Sequence, residues 1–256
     1  MTKDATTIRT IFTPSVEFAI TSRFNRNPFM TDMTAQIKGC IFNLDGVIVD
    51  TSRYHYIAWR RLANQLGFDF SLEEHQELRG LSRMASLEKI LEWGDMYLTE
   101  AEILHWADVK NNWYVELISN LKPGDLLPGA LLFLRQVREA GLAVALSSAS
   151  RSARQVLRST RIESYFETVI DGYNIRKVKP DPESFLLAAQ ALRLSPSECL
   201  VFEDAALGVR AGLAGGFNVV GIGRPEYLPD AHLVIPGFEN LTLNHLLTQL
   251  SGATVA

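Results

Sequence analysis

Ile37-Lys38-Gly39-Cys40-Ile41-Phe42, followed at once by Asn43-Leu44-Asp45-Gly46, is the stretch that decides the fold: a short apolar run that stops in a polar cluster. A run of this length bounded by turn residues reads as a buried strand. The same pattern recurs at Leu142 to Leu146 before Ser147-Ser148, at Thr168 to Ile170 before Asp171, at Cys199 to Phe202 before Glu203-Asp204, and at Asn218 to Ile222. Helical periods lie between them, over Gly129 to Ala140, Ala153 to Ser159, Pro182 to Leu192 and Ala205 to Ala214. Strands alternating with helices predict an α/β fold, a Rossmann-like parallel sheet covered on both faces. Such sheets bind ligands beyond the carboxyl ends of their strands, where all of these polar clusters fall.

Residues 52–122 break the alternation, because they hold only helical patterns. Tyr54, Ile57, Ala58, Leu62 and Leu66 share one helix face, and Gly67 ends it. Ser71 with Glu74, and Thr99 with Glu102, have the spacing of capping boxes and start further helices. The second of these carries Ile103, Ala107, Trp113, Leu117 and Ile118. The organisation predicted is an α/β core over 36–51 and 123–256 with an all-helical cap over 52–122, inserted directly after the first strand's polar loop. Asp50 to Arg53 and Lys122 to Leu127 would be its hinges. Residues 1–35 have no clean period and read as an extension; Arg9, Arg23 and Arg26 among Ser/Thr only faintly suggest a transit peptide, since Asp4 and Glu17 interrupt the basic pattern.

Composition narrows the function classes. The chain has 256 residues, 47% hydrophobic and 21% charged, with 25 basic against 29 acidic groups, so it reads as a folded, cytoplasmic protein, monomeric by default. The net charge of −4, without a long Lys/Arg run, argues against a nucleic-acid partner. No apolar stretch is long enough to span a bilayer, so no membrane role is expected. Cys40 and Cys199 each sit in an apolar run and read as buried small hydrophobes, not as a disulfide or zinc framework.

At the predicted strand ends three features converge. Asp45, Glu203 and Asp204 form an acidic cluster that is costly unless a cation neutralises it, and a few hard oxygen ligands suit Mg²⁺. Ser148-Ala149-Ser150 offers a hydroxyl and backbone N–H groups at a strand-to-helix turn, where anions are favoured. Lys179, before Pro180, adds a fixed positive charge. Singly, each has a duller account: a solvated Glu-Asp pair, a loop Lys-Pro, a capping Ser. Together, at successive strand ends, they describe a phosphoryl site.

These residues resemble the haloacid dehalogenase superfamily, and within it the β-phosphoglucomutases, from about Ile37 to the C-terminus. The general markers are Phe-Asn-Leu-Asp-Gly-Val-Ile-Val-Asp-Thr at 42–51, Ser148, Lys179-Pro180 and Glu203-Asp204. More specific are Tyr54-His55 with Ala58-Trp59, Leu78-Arg79-Gly80-Leu81-Ser82-Arg83, Ser148-Ala149-Ser150-Arg151, and Gly221-Ile222-Gly223-Arg224-Pro225-Glu226. The resemblance implies that β-D-glucose 1-phosphate and glucose 6-phosphate interconvert through β-glucose 1,6-bisphosphate, the activating intermediate. It implies a nucleophile at position 43 that becomes an acyl phosphate, and Asp45 as general acid/base. Residue 43, Glu203, Asp204 and the Asp45 carbonyl would hold Mg²⁺. Ser148, Ala149 and Lys179 would hold the transferring phosphoryl group, and Arg79, Gly80, Ser82 and Arg83 of the lid, with Ser150 and Arg151, the rest of the sugar phosphate. Thr51 and His55 would tie lid closure to the position of Asp45. His55 could equally be a core histidine bonded to a backbone carbonyl, and Trp59 reads as lid packing.

Position 43 departs from the family, which has aspartate there. An amide is neutral, its oxygen is a poor nucleophile and its nitrogen has no free lone pair, so the charge of positions 43, 203 and 204 falls from three to two. Fold, lid and sugar-phosphate binding are expected to survive, with transfer through residue 43 nearly abolished. The change reads as an engineered trap, a natural loss of turnover or a misassigned residue, and the intact remainder favours an active background with one changed residue. Ser152, where the mutases commonly carry an amide, is a smaller departure. A sugar-phosphate phosphatase of the same superfamily and a non-catalytic sugar-phosphate binder are the alternatives.

Overall fold

The computed structural model describes residues 36–78 and 80–253. The extension read over 1–35, and Arg79, lie outside the described residues. Among those described, strands β1 (Gly39–Phe42), β2 (Ala143–Ser147), β3 (Thr168–Ile170), β4 (Cys199–Glu203), β5 (Asn218–Ile222) and β6 (Leu233–Ile235) form one parallel sheet in the order β3-β2-β1-β4-β5-β6. The chain builds outward from β1 to β3, then crosses to β4 on the other side of β1. That reversal puts the switch point between β1 and β4, the place where such sheets open a crevice.

The helices divide as the sequence pattern predicts. Helices α1 (Ser52–Gln65), α2 (Leu72–Glu77), α3 (Arg83–Trp93) and α4 (Glu100–Ile118) lie between β1 and β2, with α5 (Ala130–Glu139) leading into β2. Helices α6 (Ala153–Ser159), α7 (Glu183–Leu192), α8 (Ala206–Ala214) and α9 (Leu243–Ala253) follow in the core. Both capping boxes form: Ser71 and Glu74 exchange bonds at the start of α2, and Thr99 and Glu102 at the start of α4. Helix α3 and strand β6 are additions to the sequence reading. Ser82 starts α3 by accepting the Ala85 N–H at 3.2 Å, and β6 is a three-residue edge strand too short to show a period.

One buried cluster lies on each face of the sheet. Phe42, Phe202, Phe133 and Phe238 belong to one; Ile41, Val201, Phe185 and Phe217 belong to the other. Cys40 and Cys199 are both buried free thiols, in opposite clusters and so on opposite faces of the sheet. The helices of the insert carry a third cluster of their own, around Trp59, Leu62, Phe70, Leu87 and Ile90. The two crossings between insert and core run side by side: Val49 bridges Leu126, the Leu127 N–H donates to the Ile48 carbonyl at 2.9 Å, and Arg53 pairs with Asp125 at 3.2 Å. No helix among the described residues is long and apolar enough to cross a membrane.

Candidate active site

Strand register brings the first part of the site together. Phe42 pairs with Leu146 of β2 and with Phe202 of β4, so Asn43 and Glu203 come side by side at the carboxyl edge of the sheet. The Phe42 and Phe202 rings stack at 4.5 Å, and the Asn43 N–H donates to the Phe202 carbonyl at 2.9 Å, which locks that register. Two glycines make the crowding beyond it feasible. Gly46 has φ +72°, and a Cβ there would lie 2.1 Å from Asp204 Oδ2. A Cβ on Gly208 of α8 would lie 2.1 Å from Glu203 Cδ, so the bare helix face is what admits this buried carboxylate.

The charges are arranged around Asn43. Its Nδ2 donates to the Asp45 carbonyl at 3.0 Å and to Asp204 Oδ1 at 3.2 Å, while its Oδ1 accepts from Lys179 Nζ at 3.3 Å. Lys179 also pairs with Glu203 Oε1, and Glu203 Oε2 accepts the N–H groups of Asp204 and Ala205 at 2.9 and 3.2 Å. Both Glu203 oxygens are therefore engaged by partners inside the protein. The burial of this carboxylate makes the Lys179 partner necessary. Among the described residues no three His, Cys, Asp or Glu side chains group closely enough to hold a metal by themselves. Yet the Asp45 carbonyl and Asp204 carboxylate converge on one point, which the Asn43 N–H groups now bridge. These are hard oxygens in a net acidic surround, and with a residue-43 oxygen they fit a small hard cation such as Mg²⁺. Asn43 has one oxygen, which faces Lys179; a carboxylate would supply one oxygen to each.

Asp45 is set apart from the other acids. Its carboxylate accepts from the Thr51 hydroxyl. Burial pushes its pKa up to about 6, against the lowering effects of the Thr51 hydrogen bond, Lys179 and Lys110, with Asp50 raising it further. A carboxyl group titrating there suits an acid/base near neutral pH. On the other side of the crevice, Ser148 Oγ accepts the Ser150 N–H and Ser150 Oγ accepts the Ser152 N–H, each at 3.2 Å, which folds this turn into a cup.

The insert supplies the roof. His55 of α1 stacks on Tyr114 of α4 at 3.9 Å, and its Nδ1 accepts from Lys110 Nζ at 2.8 Å, so its partner is an ammonium group and not a backbone carbonyl. Burial, then the Lys110 charge, then His75 hold its pKa well below the usual imidazole value. Lys110 is only 2% exposed and lies 4.0 Å over the Trp59 ring, giving that tryptophan a polar contact as well as packing. Burial and the Arg83 charge pull the Lys110 pKa down to about 7, opposed by Asp45. The sequence reading missed Lys110. The available signal was its place on the α4 face that also carries Ala107, Tyr114 and Ile118, all buried. Arg83 pairs with Asp108 at 3.2 Å, and the Arg151 guanidinium stands 5.2 Å over the Tyr173 ring.

A cavity of about 410 Å³ separates roof from sheet. Asn43, Asp45, Ser148, Ala149, Ser150, Arg151, Lys179, Glu203 and Asp204 line it from below, and His55, Gly80, Ser82, Arg83 and Lys110 from above. Thr51 is fully buried and reaches the site through Asp45, which accepts its hydroxyl, and through His55, whose N–H donates to its carbonyl at 3.1 Å. A cleft of this size, with polar groups at both ends, suits a small polar ligand.

The haloacid dehalogenase-like hydrolase family model matches residues 37–216. A β-phosphoglucomutase of Bacillus subtilis is 40% identical over 212 residues, covering 82% of this chain and 94% of that protein. A phosphorylated carbohydrates phosphatase of Thermotoga maritima is 31% identical over 185 residues, covering 71% and 83%. The crystal structure of a β-phosphoglucomutase from Clostridium difficile superposes with a TM-score of 0.81 at 38% identity, covering 86% of this chain and all of that one.

Proposed function

The chain belongs to the haloacid dehalogenase-like hydrolases and, among them, to the β-phosphoglucomutases, and from that membership we propose that it binds glucose phosphates in a site built to interconvert β-glucose 1-phosphate and glucose 6-phosphate, stopped at residue 43. The observation that carries this reading is the convergence, in one cavity, of a phosphoryl-type cluster on the sheet and a cationic roof, Lys110 and Arg83, on the insert. A site with positive groups at both ends suits a ligand with a phosphate at each end.

In this reading, Lys179 and the Ser148–Ala149–Ser150 turn hold the phosphoryl group at the sheet. Asp45 takes the proton of the attacking sugar hydroxyl, or returns one to the departing sugar oxygen, and Thr51 fixes its carboxylate for that task. Lys110 and Arg83 bind the outer phosphate, and closure of the roof over it would keep water from competing with the sugar. Mg²⁺, held by the Asp45 carbonyl, Asp204 and the residue-43 oxygen, would offset phosphate charge. With aspartate at 43, a carboxylate oxygen bonds to phosphorus as the bond from phosphorus to the sugar oxygen breaks. Asn43 offers only a neutral amide oxygen, already facing Lys179, so the step fails and an intact bisphosphate is held without being consumed.

The test is glucose 6-phosphate formation from β-glucose 1-phosphate, with Mg²⁺ and bisphosphate primer, for the chain as it stands and for Asn43→Asp. Rapid formation by Asn43→Asp alone is the expected result. Release of inorganic phosphate in place of isomerisation would make the restored protein a phosphatase. Binding without turnover in both forms would leave a sugar-phosphate binder.

A further inference from the structure

Arg83 does not point its charge freely into the cavity. It opens α3 at the cavity rim, and its Nη1 donates to Asp108 Oδ1 at 3.2 Å and, at 3.5 Å, to the Ala107 carbonyl, both on α4. The arginine side chain is 25% exposed and the aspartate 73%, so the partner lies on the outer side, in water. Asp108 does not border the cavity, whereas Arg83 and Lys110, two residues further along α4, both do. The two cations work against each other, since the Arg83 charge is one cause of the lowered Lys110 pKa. A carboxylate on the outer side of Arg83 offsets that repulsion and holds the guanidinium ready while no anion is bound.

We propose that Asp108 is a positioning residue for Arg83: it holds the lid guanidinium through Nη1 and competes with an outer phosphate for its charge. The inference rests on the reading that Arg83 binds the outer phosphate. An exposed ion pair of this kind is weak, so the competition lowers ligand affinity by about 2- to 5-fold. A modest penalty is useful in such a site. A bisphosphate held at both ends must be freed at one end before it can turn round, and a waiting carboxylate stabilises the arginine at that moment.

The experiment is calorimetric binding of glucose 6-phosphate and of β-glucose 1,6-bisphosphate, with Mg²⁺, to the full chain. Because Asn43 blocks turnover, both are measured as unconsumed ligands. The proteins compared are the chain as it stands, Asp108→Asn, Arg83→Ala and the double variant. Asp108→Asn is expected to tighten both ligands about 2- to 5-fold at low salt, less at high salt, and to change nothing once Arg83 is gone. No tightening in the Arg83-containing protein overturns the proposal. Equal tightening with and without Arg83 overturns it too, because Asp108 would then repel the ligand directly. If Arg83→Ala binds as tightly as the parent, the assignment of Arg83 fails, and the competition falls with it for that separate reason.

Discussion

Replacing Asp45 with asparagine should make the protein more stable at neutral pH, although it removes the group assigned to proton transfer. Burial raises the Asp45 pKa from 3.8 to about 6. A shift of roughly two units corresponds to about 3 kcal/mol of preference for the neutral carboxyl, at about 1.4 kcal/mol per unit. The folded state therefore binds the proton more tightly than the unfolded chain does. The stability this confers is complete below pH 3.8 and is lost as pH rises through about 6. At pH 7.5 the ionised group is a burden that asparagine does not carry, while its amide oxygen can still accept from Thr51. Asp45 borders the cavity, where water softens the cost of charge, so 3 kcal/mol is an upper bound and a gain of about 1–3 kcal/mol is expected. Urea unfolding of both proteins at pH 7.5 and pH 4 measures it: the variant's advantage should be present at the first and absent at the second. Destabilisation at pH 7.5, or a gain independent of pH, would refute the reasoning.

Other outcomes follow from the same geometry. Gly46→Ala puts a Cβ 2.1 Å from Asp204 Oδ2 at a φ of +72°, and should cost about 1–3 kcal/mol in urea unfolding. Asn43→Asp restores a second oxygen and a charge beside the Asp45 carbonyl and Asp204, so added Mg²⁺ should raise its melting temperature more than that of the parent; equal shifts would count against Asn43 limiting the metal site. Lys110, with its pKa near 7 in the free protein, loses its charge as pH rises, so glucose 6-phosphate affinity should fall from pH 6.5 to 8.5. Lys110→Arg should flatten that profile. Phe202→Ala, beneath the β1–β4 strand ends, should cost about 3–5 kcal/mol by thermal or urea unfolding.

The parts legible in the sequence were those in which local pattern and tertiary role agree. The apolar run to Phe42 is a strand because its residues are buried on both faces of the sheet, and its polar sequel lies at the switch point because the sheet is parallel. Ser71 with Glu74 and Thr99 with Glu102 form caps by contacts three residues apart, so spacing alone revealed them. The partnerships within the site were not legible. Nothing local says that Glu203 turns inward to Lys179, since that depends on Gly208 leaving room in the following helix. Lys110 looks like a solvated lysine until the α4 face is known to turn inward, and the Arg83–Asp108 pair joins residues 25 positions apart on two helices. The departure at Asn43 was readable as chemistry, but its amide bridging the Asp45 carbonyl and Asp204 was visible only in three dimensions.

Covalent phosphorylation tests the central claim most directly. Intact-protein mass spectrometry after brief exposure to β-glucose 1,6-bisphosphate and Mg²⁺, quenched in acid, would compare the chain as it stands with Asn43→Asp. The account predicts the added mass of one phosphoryl group on the aspartate form, carried on residue 43, and an unchanged mass for the asparagine form. A phosphoryl group on the protein with Asn43, or none on the protein with aspartate there, would contradict it.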